Sequence, residues 1–172
     1  MRKLFSIILL SAVTVISACG QTEAPQTIQA IPENPADIDI SGLESVEIVP
    51  GLSMRMLLEG DGAVAEVGHT AVVHYTGWLH DPAADKFRGD KFDSSVDRGA
   101  HFKFTLGEGR VIRGWDQGVV GMRIGEVREL TIAPELAYGD RQMGPIIRAG
   151  STLVFVVELA DLEGLAAENQ PR

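Results

Sequence analysis

The sequence predicts an α+β domain, an antiparallel β-sheet with one short α-helix laid across it. Two observations carry that reading. Beyond Gly51 the apolar residues fall in short runs rich in β-branched and aromatic side chains, the composition of pleated, half-buried strands. Between Arg110 and Met122 the pattern changes: Trp115, Val119 and Met122 stand at i, i+4 and i+7, one face of a short helix that Gly121 can end. No internal repeat is apparent.

Taken in order, "SMRMLLEG" is a strand that runs into the turn signal Asp61-Gly62. "HTAVVHYTGWL" is a second, by its β-branched and aromatic content. In "HFKFTLG", Phe102, Phe104 and Leu106 alternate onto one face. "GEVRELTIAP" alternates more loosely through Val127 and Ile132. "STLVFVVELADLE" is apolar on both faces for several positions, as a central strand packed on both sides would be. The helix is too short to stand alone, so burial of Trp115 against the sheet must hold it. Taken alone, Trp115 reads as core.

The N-terminus carries a different signal. "MRKLFSIILLSAVTVISACG" has Arg2 and Lys3, an apolar run from Leu4 to about Ile16, and small residues after it, the layout of a secretory signal peptide. The apolar run is too short for a permanent span. Ile16-Ser17-Ala18-Cys19 resembles a bacterial lipobox, in which the cysteine thiol receives a diacylglyceryl group and becomes the first mature residue. Cys19 is the sole cysteine of the chain. Removing Arg2 and Lys3 leaves 13 basic side chains against 24 acidic ones, a mature charge of −11. Residues 19–50 read as an acidic, proline-interrupted tether with no Lys or Arg from Gly20 to Met54, extended at least to about Ser41. About 30 such residues would reach roughly 30 Å from a membrane surface. Gly20 lacks the aspartate associated with inner-membrane retention, so the expected location is extracytoplasmic, on the periplasmic side of an outer membrane. The domain is expected over 51–163, with a short tail over 164–172.

Several function classes fit poorly. With 172 residues at a formal charge of −9, the chain offers nothing to neutralise a phosphate backbone, which argues against nucleic acid. His69, His74, His80 and His101 show no metal-ligand spacing. Gly107 and Gly109 begin a G-x-G without the third glycine of a dinucleotide loop. Asp37-Ile-Asp39-Ile-Ser41-Gly42 starts like a calcium loop, but the twelfth position, which should be an acidic bidentate ligand, is Ile48. No metal and no cofactor is expected.

Five segments in order, "VVHYTGWL", "KFDSSVDRG", "FKFTLGEGRVIRGWDQGVVGM", "GEVRELTIAPELAYGD" and "GSTLVFVVELADLE", resemble the FKBP-type peptidyl-prolyl cis–trans isomerases, the macrolide-binding immunophilins. The resemblance covers about Gly51 to Glu163 and leaves out the lipobox and tether. It implies a strongly twisted antiparallel sheet half-wrapped around the short helix, with an apolar pocket between them. By the same resemblance Trp115 would be the pocket floor on which a proline ring rests. Tyr75, Phe92, Phe102, Val111, Ile112 and Phe155 would be its walls, and Ile146 and Ile147 part of a flap over the mouth. Asp93 would sit beside the reacting amide, Tyr138 would donate a hydrogen bond to a substrate carbonyl, and Arg98 would pair with Asp93 or a neighbouring polar group. Apart from the resemblance, Phe102, Val111 and Phe155 read as core, Asp93 before two serines as a turn cap, and Tyr138 as a loop anchor.

Two stretches depart from the family pattern. "HDPAADKFRGD" is several residues longer than the usual hairpin turn, and its Phe87 and Arg88 either reach over the pocket edge or decorate the loop, decoration being the preferred reading. In the flap, "DRQMGPIIRAG" puts Met143 where a ring-bearing or polar residue is common, and Pro145 one place late. The function implied is isomerisation of X-Pro bonds in proteins outside the cytoplasm, with proline-containing polypeptides as substrates and family macrolides as inhibitors. The alternative is a chaperone module that holds proline peptides in the same pocket with incidental catalysis.

Overall fold

The computed structural model describes residues 34–164. The signal segment, Cys19, the first part of the tether and the tail beyond Gly164 lie outside the described residues. The sheet has seven strands in the spatial order β1 (Val46–Val49), β2 (Leu52–Leu58), β6 (Val127–Ile132), β7 (Leu153–Glu163), β3 (Thr70–His80) and β4 (Arg88–Ser94), with β5 (Phe102–Thr105) also on β3. Every pairing is antiparallel. β5 takes the first part of β3, Thr70 to Val73, and β4 the second part, from Thr76 to His80. β7 is central and buried on both faces from Leu153 to Val157, as its unbroken apolar run requires.

Among the described residues one α-helix, α1 (Arg113–Gly118), crosses the sheet. It is shorter than the apolar spacing suggests: Val119 is already its cap, and Gly121 follows at φ +83°. Six residues cannot hold a helix in water, and strand β6 supplies what is missing. Its inward positions Arg128, Leu130 and Ile132 all meet α1. A Cβ on Gly114 would lie 2.5 Å from Ile132 Cγ2, and one on Gly118 would lie 2.7 Å from Leu130 Cδ1. Two glycines four residues apart therefore let the helix backbone rest directly on the strand. The third position, Arg128, donates through Nη1 to the Gly118 carbonyl at 2.8 Å, satisfying an end of the helix that has no intrahelical donor. Glu126 neutralises Arg128 at 2.7–2.8 Å, and both are buried. The loose alternation of "GEVRELTIAP" is explained here: Arg128 and Glu129 are buried along with the apolar residues, on opposite faces of β6.

On the outer face, Glu129 is 1% exposed and accepts from Arg55 and Arg88, each at 2.7 Å. Breaking such a buried pair by removing one partner costs about 3–5 kcal/mol. Arg88 also lies 5.0 Å over the Trp78 ring and donates to the Ala36 carbonyl. This corrects two expectations. Arg88 is not loop decoration; it is a buried structural cation, and with Lys86, which donates to the Asp37 carbonyl at 3.1 Å, it fastens the incoming chain. The chain also departs from an extended tether well before residue 50. Pro35 and Ala36 are buried in a 3₁₀ turn (Pro35–Asp37), and β1 pairs with β2. Phe87 stays 42% exposed, stacked on His80, and does not reach the cleft. Asp39 accepts from the Ser41 amide at 2.9 Å, so the calcium-like stretch is an Asx turn.

Candidate active site

A cleft of about 460 Å³ opens between α1, the concave side of the sheet and the loop after β6, within the range of about 300–1,000 Å³ typical of small-ligand sites. Trp115 lies at its base, 4% exposed. Three rings stand nearly perpendicular to the indole: Tyr75 at 4.9 Å and 88°, Phe155 at 5.3 Å and 84°, and Phe102 at 5.9 Å and 81°. Edge-to-face pairs of this kind each add about 0.5–1.5 kcal/mol beyond burial, so the walls hold their angle. Phe92 meets Phe155 edge-on at 5.5 Å and extends the same wall. Trp115 is thus a core residue that also lines the cleft. Its Nε1 has no hydrogen-bond partner among the described residues.

Gly77 explains how the wall fits. In the middle of β3 it faces Phe155 on one side and Asp93 on the other. A Cβ there would lie 2.7 Å from Phe92 and 2.8 Å from Phe155. A glycine inside a strand often marks such a close approach, a signal the sequence offered and that "YTGWL" contains.

Asp93 is held on both oxygens. Tyr75 Oη donates to Oδ2 and Arg98 Nη1 to Oδ1, while Arg98 Nη2 donates to Tyr75 Oη at 3.1 Å. Burial alone would raise the Asp93 pKa; the hydrogen bonds from Tyr75 and Arg98, with the Arg98 charge and the Ser94 amide, outweigh it and hold the carboxyl below its ordinary range. Burial, reinforced by Asp93, raises the Tyr75 hydroxyl, and the hydrogen bonds to Tyr75 and Asp93 raise Arg98. Beneath this triad Ser95 Oγ accepts from the Tyr75 amide at 2.8 Å and meets His74 Nδ1 at 3.0 Å, which ties the loop carrying Asp93 and Arg98 to β3.

Tyr138 lines the same cleft, half-buried. Burial and the nearby Asp93 carboxylate push its hydroxyl pKa up, so the proton stays available for donation. Val111 and Ile112 bring the chain from the Asp116-anchored turn into the cleft: Asp116 accepts from the amides of Gly107 at 3.1 Å and Gly109 at 2.9 Å. Ile146 lines the mouth, whereas Ile147 is 6% exposed and roots the flap, its carbonyl accepting from the Met143 amide at 2.9 Å. Arg98 is the exception among the expected binding residues. It stands behind Asp93 and Tyr75 and does not line the cleft. Arg110, Met143, Gly144 and Pro145 do line it, and of these the sequence had singled out only Met143 and Pro145. Among the described residues no group of three or more His, Cys, Asp or Glu could hold a metal ion.

An aromatic base, perpendicular aromatic walls, one neutralised carboxylate and one tyrosyl hydroxyl with no hydrogen-bond partner among the described residues define a non-covalent receptor for a small apolar ring with an amide beside it. A family model described as FKBP-type peptidyl-prolyl cis-trans isomerase matches residues 62–160. FK506-binding protein 1A of Neurospora crassa is 48% identical over 116 residues, 67% of this chain and 91% of that protein. FK506-binding protein 2 of Podospora anserina is 54% identical over 102 residues, 59% of this chain and 51% of that protein, so the chain spans about half of that relative. The crystal structure of AtFKBP13 matches with a TM-score of 0.60 at 36% identity, covering 69% of this chain and 98% of that one. The chain belongs to the FKBP-type peptidyl-prolyl cis–trans isomerases.

The ionisations of the site predict a split between activity and stability. Asp93 stays charged and Tyr138 protonated across neutrality, so kcat/KM for a neutral X-Pro peptide should be flat from about pH 6 to 9. His74 behaves differently: burial first, then the His101 ring tilted against it with centroids 4.0 Å apart, depress its pKa against an opposing pull from Glu158. The unfolded chain then binds the extra proton more readily, so stability falls as pH drops below about 6.5. The Asp93 contribution has the opposite origin, a depressed carboxylate, and is lost only as pH falls below about 3.9. Denaturation midpoints and kcat/KM measured over the same pH series check this; a neutral-pH limb in kcat/KM would contradict it.

Proposed function

We propose that this isomerase works outside the cytoplasm, anchored by lipid on Cys19, and speeds rotation of X-Pro bonds in proteins folding there. The observation that carries the catalytic part is the Trp115 floor with three rings upright around it. An X-Pro bond favours trans by only about 0.5–1 kcal/mol but exchanges over tens to hundreds of seconds, because rotation breaks amide resonance and costs about 18–20 kcal/mol. Raising a rate of ~0.01 s⁻¹ to ~10 s⁻¹ needs roughly 4 kcal/mol. That is a small demand, and neither a nucleophile nor a proton transfer is required.

The planar amide carries charge separation that water solvates well, and the twisted transition state has lost it. An aromatic cleft that withholds water disfavours the planar form relative to the twisted one, which is differential binding in the required direction. Tyr138 would donate to a substrate carbonyl and fix the peptide, adding about 1 kcal/mol. Asp93, kept ionised and oriented by Tyr75 and Arg98, would sit beside the twisting amide. Loss of both groups in a Tyr138→Phe, Asp93→Ala variant should lower kcat/KM about tenfold or more while the fold survives. Wild-type activity no higher than the double variant's would leave a module that holds proline peptides without accelerating them.

Support for the anchor comes from the sequence: a basic start, an apolar run and Ile16-Ser17-Ala18-Cys19. Two or more acyl chains on one cysteine would anchor stably, where a single chain binds reversibly. In cell fractionation, Cys19→Ala should move the protein to soluble fractions or leave its signal uncleaved. A processed Cys19→Ala protein that stays on membranes would contradict the lipid anchor.

A further inference from the structure

Unpaired arginines cluster in sequence around the cleft-lining segments of a chain that has 24 acidic and 15 basic side chains. Most cations among the described residues are engaged: Arg55 and Arg88 on Glu129, Arg128 on Glu126, Lys91 on Asp97, Lys103 on Glu163 and Arg98 on Asp93. Arg123 and Lys86 donate to backbone carbonyls. Arg113, Arg141 and Arg148 are exposed, and their guanidinium groups have no partner among the described residues. All three are close sequence neighbours of cleft-lining residues. Arg113 directly follows Ile112, and Arg141 and Arg148 bracket the flap residues Met143 to Ile147, all of them cleft-lining. Arg110 lines the cleft itself, paired with Glu108 at 2.6 Å yet 74% exposed. Asp116, which accepts from the Gly107 and Gly109 amides, keeps its charge, as do Asp140 and Glu135, but none of the three forms an ion pair with these arginines among the described residues.

We infer that this arginine rim makes the cleft select proline segments flanked by acidic residues. The inference rests on the cleft being the proline site. Exposed cations act over about 8 Å at physiological salt, the reach of residues one or two places from the proline, and the acidic body beyond the rim focuses that preference at the mouth. An anionic membrane held by the same arginines would cover the entrance, so a peptide is the better occupant.

The test uses the full-length chain and three matched peptides with Glu, Gln or Lys on both sides of the same X-Pro pair. At low ionic strength kcat/KM should be about three- to tenfold higher for the Glu peptide than for the Gln peptide, mostly through KM, because the rim acts alike on planar and twisted amide. The ratio should approach one in about 1 M salt and in an Arg113→Gln, Arg141→Gln, Arg148→Gln variant. Equal rates for the Glu and Gln peptides, a preference for Lys, or a preference that survives in the triple variant would overturn it. Binding of phosphatidylglycerol vesicles that needs the same arginines and blocks turnover would overturn it in favour of a lipid surface. If the Gln peptide is not turned over, the isomerase reading falls and this inference with it; if it is turned over without any acid preference, only the inference falls.

Discussion

The close approach of α1 to β6 sets the depth of everything in the cleft. Gly114 and Gly118 put the helix backbone against Ile132 and Leu130 with no room for a Cβ, and Arg128 locks the helix end through the Gly118 carbonyl. Trp115 lies between those two contacts in the chain, so the height of its ring is fixed by glycines that never meet a substrate. The upright rings of Tyr75, Phe102 and Phe155 take their positions from that plane, and Gly77 leaves the space that Phe92 and Phe155 occupy.

Polar groups are confined to places where they do not wet the floor. Strand β6 buries one ion cluster on each face: Glu126 with Arg128 under the helix, and Glu129 with Arg55 and Arg88 outside. Buried pairs of this kind are weak sources of stability but costly to break, which suits them to fixing register. At the cleft, Asp93 is neutralised from behind by Arg98 and Tyr75, so a carboxylate is present beside the apolar floor without a free counter-ion in the cleft itself.

How much of this could be read in advance follows from where burial contradicts residue type. The strands β3, β5 and β7 announce themselves through β-branched and aromatic content, and Trp115 through its helical spacing. Strand β1 does not, because Val46–Val49 is an exposed edge strand inside an acidic, proline-rich stretch. Arg88 reads as solvated because nothing local to "DKFRGD" reveals Glu129, 41 residues away. The role of Gly114 and Gly118 depends on which strand lies beneath the helix, a fact of topology. The lining residues are legible through five matching motifs and not through chemistry; residue by residue, Phe102 and Phe155 both read as ordinary core, although only Phe155 is buried and Phe102 is exposed. Arg110 carries no signal of its own, although it precedes Val111 directly and lines the cleft.

The central claim, that helix depth sets the isomerase site, is tested most directly by Gly118→Ala. Helix propensity alone would make this change stabilising by roughly 0.5–1 kcal/mol, so the two accounts differ in sign. With Leu130 Cδ1 only 2.7 Å from the new Cβ, either the fully buried Leu130 repacks or the helix lifts; the folded variant should be about 1–3 kcal/mol less stable and, where the helix lifts, lose about tenfold in kcat/KM on an X-Pro peptide. A variant as stable as the wild type, or more so, with unchanged kcat/KM would show that the floor does not depend on this contact.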